Sequence, residues 1–310
     1  MAALSGLTKA ADIKVSARDV DFVTRFGNNW KVLQDILGIM RPIKKAPGTK
    51  LVSSKAKLKS TLAGGTVSEG DVIPFTEFEV EPVAYGDVAI KKYAKSVSIE
   101  AVEKYGAEVA IEKTDDQFLV ELQNVVLGDF YTFLKTGLLT GTQKTWQRAL
   151  AIAKGAVLNK FADMHKDVTE VVGFANLMDL YDYLGDQQIT IQSEFGLNYV
   201  KDFLGYSTLF LMPDSVITPK TVIATPVENI DLYYIDPSDS AFAKMGLNYT
   251  VDGETNLIGF HSEGDYTRAT GNSFALMGMT LWAEYLDGIA VVTVGSSNTT
   301  PAVQSPPSAS

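Results

Sequence analysis

From Asp19 to Leu37 the apolar positions Phe22, Phe26, Trp30, Leu33 and Leu37 recur at spacings of four, four, three and four, one face of a helix. Pro42 stops that helix. The strongest helical period lies over Ala107–Lys135, where Phe118, Leu122, Val125, Val126, Phe130, Phe133 and Leu134 repeat for more than four turns before Gly137 and Gly141. At 1.5 Å per residue such a helix is about 40 Å long, more strut than domain filler. Between these two helices the period changes. Phe78 and Val80 alternate with Glu77, Glu79 and Glu81, the period of a strand that Val83 extends out of phase, and "DVAIKKYAKSVSI" reads as a second strand. Glycines 64, 65 and 70 and Pro74 precede them, so 44–95 reads as a long two-stranded arm too poor in core residues to fold alone.

Past residue 142 the pattern alternates. Helices are predicted over Trp146–Phe161, Ala175–Leu184 and Leu197–Leu204, and strands over Val168–Phe174, Ser207–Met212, Thr221–Ala224 and Leu232–Ile235, which together make an α/β unit. After Pro237 the chain turns mostly to strand, with Asp287-Gly288 as a hairpin turn between two apolar runs. The end, "SSNTTPAVQSPPSAS", is a Ser/Pro tail with nothing to bury.

Charge changes this picture at one place. Arg41–Ser60 holds seven basic residues (Arg41, Lys44, Lys45, Lys50, Lys55, Lys57, Lys59) and no carboxylate, in a chain of net charge −10, so the remainder carries −17. Acidity overall argues against a general nucleic-acid or anionic-membrane binder. The segment lacks interleaved aromatics, so it has no means to stack bases and only phosphate contact would remain. A positive arm on a negative body can instead lie across a neighbouring copy, which makes the segment an assembly device.

Candidate chemistry is thin. The chain has no cysteine, which removes disulfides, thiolate metal sites and thiol nucleophiles together and fits synthesis in a reducing cytoplasm. The N-terminus lacks the basic and apolar regions of a secretion signal, and no apolar run approaches the roughly 20 residues of a membrane span, so no membrane contact is expected. His261, Glu263 and Asp265 share one side of a predicted strand but read as a polar strand end rather than a metal set. Asp179, Asp182 and Asp186 share a helix face that reads as solvated. "GLLTGTQKTW" resembles a phosphate loop only loosely, because Gln143 replaces the glycine needed before Lys144. No nucleophile elbow or dinucleotide fingerprint occurs, so no cofactor, metal or catalytic residue is assigned and an enzyme is not expected.

The order of parts carries a resemblance. A hairpin arm with "EGDVIPFTEFEVEPVAYGDVAIKKYAKSVSIEAVEKYG" leads into the long helix "AEVAIEKTDDQFLVELQNVVLGDFYTFLKTG", then an α/β unit, then a β-rich return ending in "FALMGMTLWAEYLDGIAVVTV". This resembles the major capsid proteins of tailed bacteriophages with the Hong Kong ninety-seven fold, over roughly 20–295. The resemblance implies an α+β fold with an N-arm (1–43), an extended β-hairpin E-loop (44–95), a peripheral domain with a spine helix (96–137), an axial domain (138–236), a β-rich return to the peripheral domain (237–295) and a flexible tail (296–310).

It also implies a function. Copies would self-assemble as hexamers and pentamers into an icosahedral virion shell around double-stranded DNA, bound without sequence preference, after synthesis in the host cytoplasm. A scaffolding protein and a portal are the implied partners, with a decoration protein as a further one. The E-loop reaches over an adjacent subunit in this family, which makes Lys44, Lys45, Lys50, Lys55, Lys57 and Lys59 the expected inter-subunit contact. Some members weld subunits through a Lys–Asn bond assisted by Glu; Asn272 and Glu284 lie in the β-rich part but match no such triad residue by residue. An encapsulin-like compartment of the same fold is the nearest alternative, and a soluble α/β enzyme a remote one.

Overall fold

The computed structural model describes residues 17–37, 40–46, 50–59, 61–63, 65–84, 87–185, 191–194, 197–227, 229–251 and 253–304. Two sheets organise them. The first holds β1 (Met40–Lys44), β4 (Ile90–Ser98), β11 (Ile230–Ile235), β12 (Ile258–Asp265) and β13 (Thr270–Ala283). β13 is its spine. β4 pairs along one edge over Thr270–Gly278, while β12 along Thr270–Met277 and β11 along Gly278–Ala283 divide the other. β1 closes the sheet parallel to β11.

The second sheet has eight strands, in the order β15 (Thr299–Val303), β5 (Leu139–Gln143), β14 (Ala290–Val294), β10 (Thr221–Pro226), β6 (Val171–Asn176), β9 (Tyr206–Met212), β8 (Leu197–Phe203), β7 (Gln192–Glu194). β6 is buried at every position, as expected of a central strand covered on both faces. The helix α4 (Trp146–Asp163) covers one face with Ala149, Leu150, Ala153 and Val157, all fully buried. Its start is fixed by Thr145, whose hydroxyl accepts the Arg148 N–H at 3.4 Å. α5 (Leu177–Leu184) begins likewise on Asn176, which accepts the Met178 N–H at 2.8 Å.

α1 (Ala17–Leu37) and α3 (Lys113–Leu134) cover the first sheet. Phe22 and Phe26 are buried as the helical period predicts, and the Phe22 ring stacks on Phe260 at 4.0 Å between centroids. The side chains of Trp30, Leu33 and Leu37 lie outside the described residues. The core of this layer runs on through Phe130 and Phe174 to Phe210, so the two sheets share one apolar interior.

The long helix differs from its prediction. A short helix α2 (Ile99–Tyr105) comes first and ends at Gly106, whose φ of 81° suits glycine. A π-helical turn, Glu108–Glu112, then leads into α3, 22 residues and about 33 Å long. The widened turn is fastened by side chains. The Thr114 hydroxyl donates to the Ala110 and Ile111 carbonyls at 2.9 Å each, and Lys95 Nζ reaches the Ile111 carbonyl at 3.4 Å.

Other expectations are corrected by pairing. Leu197–Leu204, expected as a helix, is strand β8. Asp202, Leu204 and Gly205 take positive φ there and fold β8 tightly back onto β9. Asp287-Gly288 makes a 3-10 turn, not a hairpin: β13 before it and β14 after it belong to different sheets, and a Cβ on Gly288 would come within 2.5 Å of the Phe161 ring. β11, expected with 138–236, lies in the first sheet, and β14, expected with the return 237–295, lies in the second. The tail is not free along its length. β15 pairs antiparallel with β5, and the Gln304 N–H donates to the Leu138 carbonyl at 2.9 Å.

Candidate assembly surfaces

β2 (Val52–Leu58) and β3 (Phe78–Ala84) pair only with each other, as a two-stranded ribbon apart from both sheets. The arm is therefore shorter than 44–95: its paired part is 52–84, and β4 belongs to the first sheet. Its register is informative. Lys55 stands opposite Glu81 and Lys57 opposite Glu79. One step on, Lys59 Nζ lies 3.1 Å from Glu77 Oε2. Alternation places Ala56, Leu58, Phe78 and Val80 at the intervening positions, so the ribbon has a charged set and an apolar set. Leu58, Phe78 and Val80 are exposed, and so are Leu62, Val72, Ile73 and Phe75 beyond the paired strands. Two strands alone are marginal in water, and an uncovered apolar ribbon needs a partner surface.

Part of the basic segment finds acids within its own chain. Arg41 Nε donates to Asp231 at 2.9 Å and Lys44 Nζ to Asp236 at 2.6 Å. The Asp236 bond raises the Lys44 pKa. Lys45 Nζ stands 4.0 Å from Asp87. These partners were hidden because parallel pairing of β1 with β11 joins positions 190 residues apart in sequence. Lys50 is exposed. The side chains of Lys55 and Lys57 lie outside the described residues.

A polar cleft lies between the two sheets where the chain crosses from one to the other, lined in part by Arg41, Lys166, Asn229, Glu284 and Tyr285, with a volume of about 490 Å³. Glu284 Oε2 is 3.4 Å from Arg41 and its Oε1 is 3.5 Å from Lys166, which also donates to the Tyr285 hydroxyl. Partial burial pushes the Glu284 carboxyl up, but its Tyr285 hydrogen bond and the Lys166 and Arg41 charges prevail and hold it below its ordinary value. Glu284 thus ties β1, the end of α4 and the β13–β14 crossing together. Asn272, the other residue weighed for a weld, is on β13 and accepts from the Ser96 hydroxyl at 2.7 Å, far along the strand from Glu284.

A second ion cluster fastens α1 to the helix junction. Asp115 is buried and receives Arg18 through two bonds of 2.6 and 2.7 Å and Lys95 at 2.6 Å. Burial alone would raise Asp115, yet the two cations hold it below the usual carboxylate range, while burial lowers Lys95 despite that carboxylate.

Among the described residues no group of three or more His, Asp or Glu side chains is placed to hold a metal. His261 is 3.8 Å from Glu263, and Asp265 instead turns back to the Thr267 N–H and hydroxyl. Asp179 accepts the Lys220 N–H at 2.5 Å, and Asp186 lies outside the described residues. In "GLLTGTQKTW" the backbone N–H of Lys144 is occupied by Asn298 at 3.0 Å. No helix among the described residues is long and apolar enough to cross a membrane.

No protein-family model and no curated protein sequence matches the chain. Solved structures do. A protein of Mycobacterium phage Patience is similar over 96% of this chain and 95% of its own, with a TM-score of 0.52 and 9% identity. The capsid of an empty GTA particle gives the same TM-score of 0.52 at 9% identity, over 96% and 95%. The mature capsid of bacteriophage PhiM1 covers 83% of this chain and 86% of its own, again at 0.52, with 7% identity. The chain has the fold of tailed-phage capsid proteins. The likeness holds at identities where layout, not side chains, is shared.

Proposed function

We propose that the chain is a shell subunit: copies assemble as hexamers and pentamers into an icosahedral virion head enclosing double-stranded DNA. What carries the reading is the β2–β3 ribbon. It leaves the body of a capsid fold with an apolar set of positions uncovered in the single chain, the state expected of an arm that is completed by another copy.

The arm's contact with the neighbouring copy divides between its two sets. Lys44, Lys45 and Lys59 have acids in their own chain, and the register offers acids to Lys55 and Lys57, so their contribution across the interface is to orient. Lys50 and the apolar positions supply the contact itself. A scaffolding protein and a portal are the further partners this role requires, with a decoration protein as a third.

Light scattering on the purified chain, with and without a candidate scaffold, tests the reading together with nuclease digestion of whatever the particles enclose. Megadalton particles that protect double-stranded DNA when made in the presence of packaging functions are expected. Particles filled with a companion enzyme would make the chain a compartment protein, and a persistent monomer under every condition would remove the shell role.

A further inference from the structure

Among the described residues the first sheet has three strands with an outer edge, and the chain closes two of them. β1 carries Pro42, which has no N–H to offer a further strand. β12 is bridged by Thr250, which exchanges both backbone bonds with Phe260 at 2.9 Å. β4 pairs only with β13, so its other edge is open along Ile90–Ser98.

One bond fixes where the free groups of β4 point. The Ile99 N–H donates to the Ala269 carbonyl at 3.1 Å, one step past the Ser98–Thr270 pair and in the same register. Backbone groups alternate sides along an antiparallel strand. Lys91, Tyr93, Lys95 and Val97 therefore bond to β13, and Lys92, Ala94 and Ser96 turn their N–H and C=O groups outward. Side chains alternate in the same rhythm. Lys91 and Lys95 reach Asp129 and Asp115 on α3 at 2.5 and 2.6 Å, while Lys92, Ala94 and Ser96 are exposed on the opposite face. A row of unpaired outward groups is a template for another strand.

We propose that β4 is the docking edge for an extended, acidic segment of a partner protein, which adds to the first sheet as a further strand. The inference goes beyond the shell reading and does not depend on it, because the edge belongs to the single chain. Charge selects the occupant. Lys92 is exposed and has no ion-pair partner among the described residues, whereas Lys91 and Lys95 are already held. The lysines of β4 repel a second β4, which is how sheets guard their edges against copies of themselves. A strand that brings a carboxylate opposite Lys92 gains where a second copy loses. The small side chains of Ala94 and Ser96 make little further demand, so the partner is recognised through its main chain and one charge.

Short peptides that alternate valine with glutamate, or valine with lysine, are the probes. Each is added at millimolar concentration to the unassembled full chain, and hydrogen exchange of the Lys92, Ala94 and Ser96 amides is read. The glutamate peptide should slow all three by about tenfold or more, and the lysine peptide should not. Equal slowing by both peptides, or by neither, would overturn the proposal. Slowing that rises with chain concentration in the absence of peptide would give the edge to a second copy and overturn it as well. Two variants separate docking from folding. Ala94→Pro removes an outward N–H and no bond of the sheet, so the slowing at Lys92 and Ser96 should vanish while the amides bonded to β13 stay protected. Lys92→Glu should reverse the preference and make the lysine peptide the better binder, and this variant decides the matter if the proline disturbs β4. Full binding by Ala94→Pro, or an unchanged preference in Lys92→Glu, would contradict the docking edge.

Discussion

Asn229 and Tyr285 bond reciprocally: the Asn229 side-chain carbonyl accepts the Tyr285 N–H at 3.1 Å, and its amide donates to the Tyr285 carbonyl at 3.1 Å. The pair joins the β10–β11 crossing to the β13–β14 crossing, two of the places where the chain passes between sheets. Asn229 also receives the Glu284 N–H on its own carbonyl at 3.0 Å. Asn229 is buried, and its amide also donates to the Thr225 hydroxyl at 3.4 Å, so one side chain links β10 to the neighbouring crossing and fixes how the sheets meet there.

Replacing Asn229 by Ala should therefore destabilise the chain by about 1–3 kcal/mol, because Tyr285 loses both backbone partners in a partly buried place. Urea unfolding of the monomer measures this, and a midpoint unchanged from the parent would show that the crossings hold without it.

The buried carboxylate of Asp115 divides between two cations. Asp115→Asn leaves Arg18 and Lys95 facing each other with no counter-charge, at a cost of about 3 kcal/mol. Lys95→Met should cost less, since Arg18 remains on the carboxylate and burial already disfavours the Lys95 charge. The order of the two variants in thermal unfolding is the test, and the reverse order would count against this account of the cluster.

Acid stability follows from three carboxylates. Asp115, Asp236 and Glu284 all sit below their ordinary values of 3.8, 3.8 and 4.5 in the folded chain. A depressed folded value means stability that is complete above the ordinary value and lost as pH falls through the folded one. The monomer should hold its stability down to about pH 4.5 and lose it progressively below. Glu284→Gln should flatten part of that loss, as read from unfolding midpoints across the acid range.

The two sets of positions on the ribbon separate by salt. Lys55→Gln, Lys57→Gln and Lys59→Gln together remove charges that the register sets against Glu81, Glu79 and Glu77, so assembly should weaken modestly and mainly at low salt. Phe78→Ser with Val80→Ser should weaken it at every salt concentration, because burial of apolar surface is not screened. Equal salt response of the two variants, read by light scattering, would show that the division is wrong.

Removal of residues after 298 should lower the melting temperature, as read by thermal unfolding beside the full chain, because it exposes the β5 edge and the Gly141 backbone against which Pro301 lies.

Local patterns were readable in the sequence and distant pairings were not. The Phe22–Phe26 part of the α1 face, the helix α4 and the buried strands β6, β9 and β10 follow from local patterns, which are set within a few residues. Membership of β11 and β14 in their sheets depends on partners far along the chain, and an apolar run such as Ala290–Val294 carries no mark of which sheet receives it. The same limit hid Asp231 and Asp236 as partners of Arg41 and Lys44. One signal was available. Lysines at every second position over 55–59 and glutamates at every second position over 77–81 are two strand-period series of opposite sign, and the antiparallel ribbon sets them against each other. The π turn had no such mark, since Lys95 reaches it from a neighbouring strand.

Electron microscopy of the assembled chain tests the central claim most directly. Closed particles whose averages resolve five-fold and six-fold capsomers, with β2–β3 of each copy lying on the next, are the predicted result. A chain that stays monomeric at high concentration with a scaffold present, or that associates without five-fold positions, would contradict it.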